Sequence, residues 1–390
     1  MDAHTGIVES FFVIFAGAAL ASVASLYTRQ PLLLAYIVVG ALTGPFALGL
    51  ITDPGLIREI AEIGIIFLLF LIGLDLQPRK LFDLLGESLL TALGSTLVFF
   101  ALGAGVLLAF GFGLRDAGFA GMAMVFSSTI IGIKLLPTTV LHHRHVGEIV
   151  ISLLLIQDLL AILALLLLAV AADPTAEIAP RVGLIAAGLP LLMGGAFLGV
   201  RYVLLPLFAR FDTFHEFLFT VAIGWCLALA ALANAVGLSL ELGAFVAGVS
   251  LATSPIAQHI AEQLRPLRDF FLVMFFFAVG AGLSLPQLGE VWLPMFVLAI
   301  VMLATKPLTF MGLLSAQGET RATGIEVGMR LGQASEFSLL LTFAASAALL
   351  SERAALTIQG ATVLTFVISS YLVVLRYPSP IAIDPKLRRD

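Results

Sequence analysis

The sequence predicts an all-α polytopic membrane protein. Two observations lead there. Hydrophobic residues make up 60% of the 390 residues and charged ones only 12%, about half the charge of an average soluble domain. Apolar runs of about 20 residues, the length a helix needs to cross a bilayer, recur along the whole chain. An outer-membrane barrel would instead show short alternating segments, and none occur. The net charge of −5 lies mostly in loops and points to no nucleic-acid partner. The single cysteine, Cys226, excludes a disulfide within the chain and leaves the redox compartment open.

Hydropathy, broken by Pro, Gly and charge, gives about thirteen spans in order. The first, 6–27, follows "MDAHTGIVES", which has no basic region and so reads as a retained helix, not a cleaved signal. The second and third, 31–50 and 57–75, hold "AYIVVGALTGP" and "FLIGLDLQP". The fourth is 85–112, and the fifth, 117–138, carries "VFSSTIIGIK". The sixth, 146–171, carries "LLIQDLLAI"; 182–208 and 215–236 follow. The ninth, 240–252, is short and runs into "AFVAGVSLATSP". The tenth, 265–283, contains "FAVGAGLSLP", and the eleventh, 288–313, contains "LATKPLTF". The twelfth, 321–349, carries "RLGQASEFSL", and the last is 353–376. Residues 377–390 are left as a short tail.

With the N-terminus outside, the inside segments carry Arg29, Arg79, Lys80, Arg144, Arg210, Arg265, Arg268, Arg321, Arg376, Lys386, Arg388 and Arg389. The outside segments carry only Arg58, Arg115, Arg181 and Arg353. This bias fits the positive-inside rule and places the C-terminus in the cytoplasm.

A weak repeat runs through the chain at a spacing near 208. Gly40 matches Gly248, Gly73 matches Gly280, and Pro78 matches Pro286. Matched spans are separated by an odd number of helices, so the two halves, about 31–171 and 240–376, are inverted in the membrane. Inverted repeats mark secondary transporters, whose sites lie near the bilayer midplane. The fifth and twelfth spans extend the pattern. Each places small polar residues at mid-membrane: Ser127, Ser128 and Thr129 in one, Gln333, Ser335 and Glu336 in the other. Hydroxyl side chains compete for backbone hydrogen bonds. The pair is therefore expected to form crossed discontinuous helices, whose freed carbonyls and amides can meet an ion.

A charge at the bilayer centre costs roughly 2.5–3.5 kcal/mol on insertion scales, so each one needs a reason. Asp158 sits near the middle of the sixth span. Desolvation favours its neutral form and a nearby cation its charged form. Such a carboxylate holds a proton or a monovalent cation in turn, which is what an exchanger requires. Thr129, Gln157, freed carbonyls and water would complete the shell, with Ser127 and Ser128 also at the ion site. Lys306, deep in the eleventh span before Pro307, is expected to approach Asp158 or Gln157 when no cation is bound. Lys134 and Glu336 flank the two breaks and are expected to pair with each other. Glu326 and Arg330, four apart on one helix, are expected to pair locally. The histidines of "HHRH" (142–145) read as part of a solvated basic loop and not as a metal site. Glu62, Asp75 and Glu241 fall near span ends and receive no role. No Walker loop, Rossmann fingerprint, nucleophile elbow or HExxH is present, which gives no support to an enzyme or to transport driven by nucleotide hydrolysis.

"FSSTIIGIKLL", "LLLIQDLLAI" and "LGQASEF", in that order and spacing, resemble the membrane domain of Kef-type potassium/proton antiporters. "YIVVGALTGP" and "FLLFLIGLDLQP" resemble that family's second and third helices, and the likeness covers nearly all of 6–376. The resemblance implies the sodium/proton-antiporter fold, with a dimerisation part, a core part, elevator-like alternating access and homodimers in a bacterial-type inner membrane. It places the family's Gln-Asp pair on Gln157 and Asp158, its core lysine on Lys306, and its crossover on Ser127, Ser128 and Thr129, supported by Lys134, Glu336, Gln333 and Ser335. Related electrogenic sodium exchangers have two adjacent acids where this chain has Gln157 and Asp158, so one-for-one, electroneutral exchange is expected. Kef proteins usually continue into a nucleotide-binding regulatory domain. Residues 377–390 read as a cytoplasmic tail without one. The expectation is a potassium/proton antiporter that needs no cofactor beyond the transported K+ (or Na+) and H+. The alternatives are a sodium/proton exchanger on the same scaffold, a potassium channel or leak pathway, which the lack of a TVGYG-like filter disfavours, and a sensor that has lost transport.

Overall fold

The computed structural model describes residues 6–51, 53–75, 78–137, 145–171, 178–211, 215–254, 257–345, 349–382 and 386–388. Of the positions discussed above, His142, His143, Arg144 and Arg389 lie outside the described residues. The described chain is helical throughout, apart from one isolated bridge between Ser379 and Arg388. The helices are α1 (Ile7–Tyr27), α2 (Leu32–Thr43), α3 (Pro54–Asp75), α4 (Pro78–Ala109), α5 (Leu114–Val125), α6 (Thr129–Lys134), α7 (His145–Ala171) and α8 (Ile178–Gly199). After a π-turn at Val200–Leu204 come α9 (Leu205–Phe211), α10 (His215–Ala235), α11 (Leu240–Ala252), α12 (Ala257–Ala281), α13 (Leu285–Ala316), α14 (Arg321–Arg330), α15 (Glu336–Ala344) and α16 (Glu352–Arg376).

Among the described residues, eight segments are long and apolar enough to cross a membrane. The other five predicted spans are helical for identifiable reasons in a different form. The second and ninth are the short helices Leu32–Thr43 and Leu240–Ala252. The third and tenth carry charges ahead of their apolar C-terminal runs, among them Arg58, Glu59 and Glu62 in α3 and Arg265, Arg268 and Asp269 in α12. The twelfth is split into α14 and α15. The fifth is split too, into α5 and α6. The seventh widens where the Leu205 amide bonds to Val200 O, just before Pro206. Proline has no amide proton to continue the helical ladder, and a wider turn absorbs the mismatch.

The chain divides into two compact units that interleave in sequence. One comprises Met1–Thr52, Leu84–Leu168 and Val279–Asp390; the other comprises Asp53–Asp83 and Ala169–Ala278. In the second unit α3 crosses α11 at Gly73 and Gly248. A methyl added at Gly73 would lie 2.6 Å from Phe245 O, and one at Gly248 would run into Phe70 O. In the first unit the end of α12 crosses α2, where a methyl at Gly280 would run into Ile37 O. Small residues let helix backbones touch where no hydrophobic force drives them together. The two crossings are related. If α2 corresponds to α11 and α3 to the tenth span, as the glycine matches propose, a two-fold relation turns the contact of α3 with α11 into one of α2 with α12. Both contacts are present.

The second unit is fastened further by Trp225 of α10. Its Nε1 donates to Ser250 Oγ at 3.1 Å, and its ring fills the space left by Gly199. Phe67 stacks on Phe271 with centroids 4.3 Å apart. Cys226 is buried and free. The first unit holds every residue singled out as a candidate site.

Candidate functional site

The site begins with two interruptions. Helix α5 ends at Val125, Phe126 and Ser128 are extended, and α6 starts at Thr129. Helix α14 ends at Arg330, and α15 starts at Glu336. Serines make each restart possible by satisfying amides that a new helix leaves without partners. Ser128 Oγ accepts from the Ile131 amide at 3.1 Å. Ser335 Oγ accepts from the Phe337 amide at 3.2 Å, while Ser338 returns to the Ser335 amide.

The two breaks are joined directly. The Ser128 amide donates to Ala334 O at 2.9 Å, and Ser127 Oγ donates to Leu331 O at 2.9 Å. Gln333 Nε2 reaches Ser128 O at 3.4 Å. Ser127, Ser128, Gln333 and Ser335 are buried, so these bonds substitute for the water that hydrocarbon excludes.

Asp158 and Gln157 enter from α7. Asp158 is 7% exposed, and Thr129 Oγ1 stands 3.0 and 3.1 Å from its two carboxyl oxygens. Thr129 is the first residue of α6, so the break itself aims this hydroxyl. Gln157 Oε1 accepts from the Ser127 amide at 3.0 Å, and its Nε2 is buried with no protein partner. Adjacent residues of α7 thus hold successive parts of one break.

Lys306 is fully buried and differs from expectation. Its ammonium donates to Phe126 O at 2.8 Å, Gln333 O at 2.8 Å and Ser127 Oγ at 3.1 Å. An ammonium has three protons, and these three oxygens take them, in place of the side chains of Asp158 or Gln157. The physical reason is local. The Phe126 and Gln333 carbonyls lie in the breaks, outside any helical ladder, so each needs a donor and each presents the negative end of a peptide dipole. Phe99 lies under the same ammonium, 5.2 Å from ring centroid to nitrogen. Close packing of α13 on α14 brings Lys306 to this point. Gly328 sits against Pro307, and a methyl at Gly324 would lie 2.7 Å from the Met311 Cα.

Glu336 occupies the opposite pole. It is buried at the start of α15, accepts from Ser335 Oγ at 3.4 Å, and interacts with the Ser128 side chain and the Ile130 backbone at the start of α6. Lys134 is exposed at the far end of α6, so the expected pairing of Lys134 with Glu336 gives way to a different one. A helix end carries up to about half an elementary charge. Lys306 meets the Phe126 and Gln333 carbonyls in the breaks, and Glu336 faces the amide ends of α6 and α15. Arg330 and Glu326 do pair, at 2.9 and 3.0 Å. Arg330 also reaches Leu135 O at 3.3 Å and Pro378 O at 3.2 Å. His145 contacts Glu319 at 2.6 Å.

Two participants escaped the sequence reading. Ala334 bonds to Thr365 Oγ1, and Gln333 bonds to Ser369 Oγ. The signal was a run of hydroxyls at helical spacing in α16 (Thr362, Thr365, Ser369), all buried inside an apolar helix.

Residues 11–374 match the family described as "Sodium/hydrogen exchanger, transmembrane". A potassium efflux antiporter (number 4) of Arabidopsis thaliana is 28% identical over 380 residues, covering 94% of this chain and 63% of that protein. The chain therefore spans less than two thirds of that relative's length. Among solved structures, the sodium proton antiporter MjNhaP1 from Methanocaldococcus jannaschii at pH 8 superposes with a TM-score of 0.66 at 16% identity, covering 93% of this chain and 94% of that one. A second structure of the same protein gives 0.65 at 15% identity, over 94% and 96%. At this identity the likeness speaks for the fold, which is that of a sodium/proton antiporter.

Proposed function

The chain belongs to the sodium/hydrogen exchanger family, which makes it a multi-pass membrane protein and a secondary transporter, not an enzyme; from that premise we propose that it exchanges potassium for a proton at Asp158 by alternating access. The observation that carries the reading is a buried carboxylate in the interior of α7, Asp158, both of whose oxygens meet one hydroxyl at a helix break. Thr129 Oγ1 lies within hydrogen-bond distance of both oxygens of Asp158. A hydroxyl can donate as well as accept. It donates to the charged carboxylate when a cation is present and accepts from the neutral acid when a proton is. The same geometry therefore serves both loaded states.

Gln157 occupies the place beside Asp158 and cannot titrate, so the pair releases one proton per carboxylate, and exchange is electroneutral. Gln157 acts by holding the Ser127 amide, which leaves the Ser128 and Thr129 segment open toward Asp158. Lys306 holds the carbonyl ends of the breaks throughout the cycle. Its charge keeps the crossover intact and is not itself carried. Ser127, Ser128, Gln333, Ser335 and Glu336 support that frame, and Lys134 stands apart from it. The plant relative's name, a potassium efflux antiporter, favours potassium over sodium. We place the protein as a homodimer in a bacterial-type inner membrane, with the N-terminus outside and the C-terminus in the cytoplasm, following the distribution of arginine and lysine.

The test is exchange in proteoliposomes with a trapped pH dye, under clamped voltage, with outward potassium or sodium gradients. The expected result is potassium-driven proton movement that is independent of voltage and absent in Asp158→Asn. Equal driving by sodium would replace the cation in the proposal. Current without compulsory proton movement, or full exchange by a folded Asp158→Asn, would overturn it.

A further inference from the structure

We propose that Thr365 and Ser369 of α16 are positioning residues for cation binding, fixing both helix breaks from behind; the proposal rests on the exchange reading above. Both act through consecutive residues of the second break.

Thr365 Oγ1 donates to Thr362 O at 2.7 Å, within its own helix. Its proton is thereby committed, and a lone pair is turned toward the Ala334 amide, which it meets at 2.9 Å. Ala334 O in turn accepts from the Ser128 amide at 2.9 Å. The residue after Ser128 is Thr129, whose hydroxyl meets Asp158. From Thr365 to Thr129 the path runs through backbone groups alone, with no flexible side chain to absorb a displacement. Ser369 works one residue earlier. Its Oγ donates to Gln333 Oε1 at 2.8 Å. Gln333 O receives Lys306, and Gln333 Nε2 reaches Ser128 O. Gln333 is thus held from three sides, one of which is α16.

All the linked groups are buried: Thr365, Ser369, Gln333, Ala334 and Ser128. Without the Thr365 hydroxyl, the Ala334 amide has no solvent to turn to, so the break must rotate to find another acceptor. That rotation moves Ser128 and, with it, the Thr129 hydroxyl that faces the cation. Positions 365 and 369 are four residues apart and share one face of α16, so one helix sets both contacts.

The experiment compares Thr365→Val and Ser369→Ala with the conservative Thr365→Ser and Ser369→Thr. Two quantities are read on the purified protein: the potassium concentration for half-maximal exchange in proteoliposomes, and the potassium-dependent rise in thermal midpoint in detergent. The expected result is a half-saturating concentration raised about tenfold in Thr365→Val and Ser369→Ala, with the maximal rate kept. Thr365→Ser and Ser369→Thr should return it to near the wild-type value. A purely structural role would lower the midpoint without potassium and leave half-saturation of the folded protein unchanged; that result overturns the proposal. So does a Thr365→Ser as impaired as Thr365→Val. If Thr365→Val does not fold, Ser369→Ala against Ser369→Thr gives the same decision. Wild-type exchange that Asp158→Asn abolishes, with half-saturation unchanged in both hydroxyl-deleted variants, overturns the positioning role alone. Absence of wild-type exchange, with a potassium-dependent midpoint that Thr365→Val weakens, overturns the exchange reading and supports the positioning role.

Discussion

Lys306 illustrates how a single residue can be foreseen in type and missed in partner. Its presence in an apolar helix called for a counter-charge, and Asp158 was the obvious candidate. The ammonium instead serves three oxygens that exist as acceptors only because two helices are broken. This assignment predicts a stability effect that an ion pair with Asp158 would not. Lys306→Met should leave buried carbonyls without a donor and destabilise the protein by about 2–5 kcal/mol. Asp158→Asn should leave the thermal midpoint near that of wild type while abolishing exchange. Thermal unfolding of both variants in one detergent checks the contrast, and an equal loss in both would argue for a direct pair. Asp158, Gln157 and Thr129 were legible in the sequence because each is a polar group in hydrocarbon and therefore needs a reason to be there. Thr365 and Ser369 were less so, since hydroxyls in membrane helices ordinarily bond to their own preceding turn, as Thr362 does here.

At the scale of elements, the breaks in α5/α6 and α14/α15 were readable from the serine clusters, because a serine that caps one half-helix is a poor residue for continuing the previous one. The close crossing of α3 and α11 was readable only as a glycine match. Geometry now gives it an energetic meaning. Gly248→Ala would drive a methyl into Phe70 O and Leu74 N and should cost about 1–3 kcal/mol. Gly105→Ala, in an α4 position with open space around it, should be neutral or stabilise by up to about 1 kcal/mol, because alanine is the better helix former. The thermal midpoint should therefore fall in Gly248→Ala and hold or rise in Gly105→Ala. A Gly248→Ala protein as stable as wild type would mean that α3 and α11 do not touch at this point. Helix lengths were predicted less well. Charges in the N-terminal parts of α3 and α12, and the interruption between α14 and α15, set the apolar lengths apart from the span lengths read off hydropathy.

For the whole molecule, the loop charges make a topological prediction that a single cysteine renders easy to test. Cys226 is buried, so Cys226→Ala, which brings no polar atom into the interior, gives a cysteine-free background. In it, Gln317→Cys, in the connection between α13 and α14, should react only with a membrane-permeant thiol reagent in intact cells. Glu352→Cys, at the exposed start of α16, should react with an impermeant one. The reverse pattern would invert the orientation and place the Arg330 cluster outside. Each compact unit draws on both halves of the sequence, so neither half forms a compact unit of its own. Hydropathy could not reveal this, because it reports which segments are buried and not which of them meet.

The sequence by itself determined that the chain is helical and membrane-spanning, where its helices break, and which buried polar groups demand partners. Those are local consequences of a solvent that forms no hydrogen bonds. Only the tertiary structure decided who the partners are. Phe126 lies 180 residues from Lys306, and Ala334 lies 31 residues from Thr365. Nothing in the composition of either segment distinguishes one backbone carbonyl or amide from its neighbours. What selects Phe126 O, Gln333 O and the Ala334 amide is that packing leaves them unpaired and brings Lys306 and Thr365 within reach.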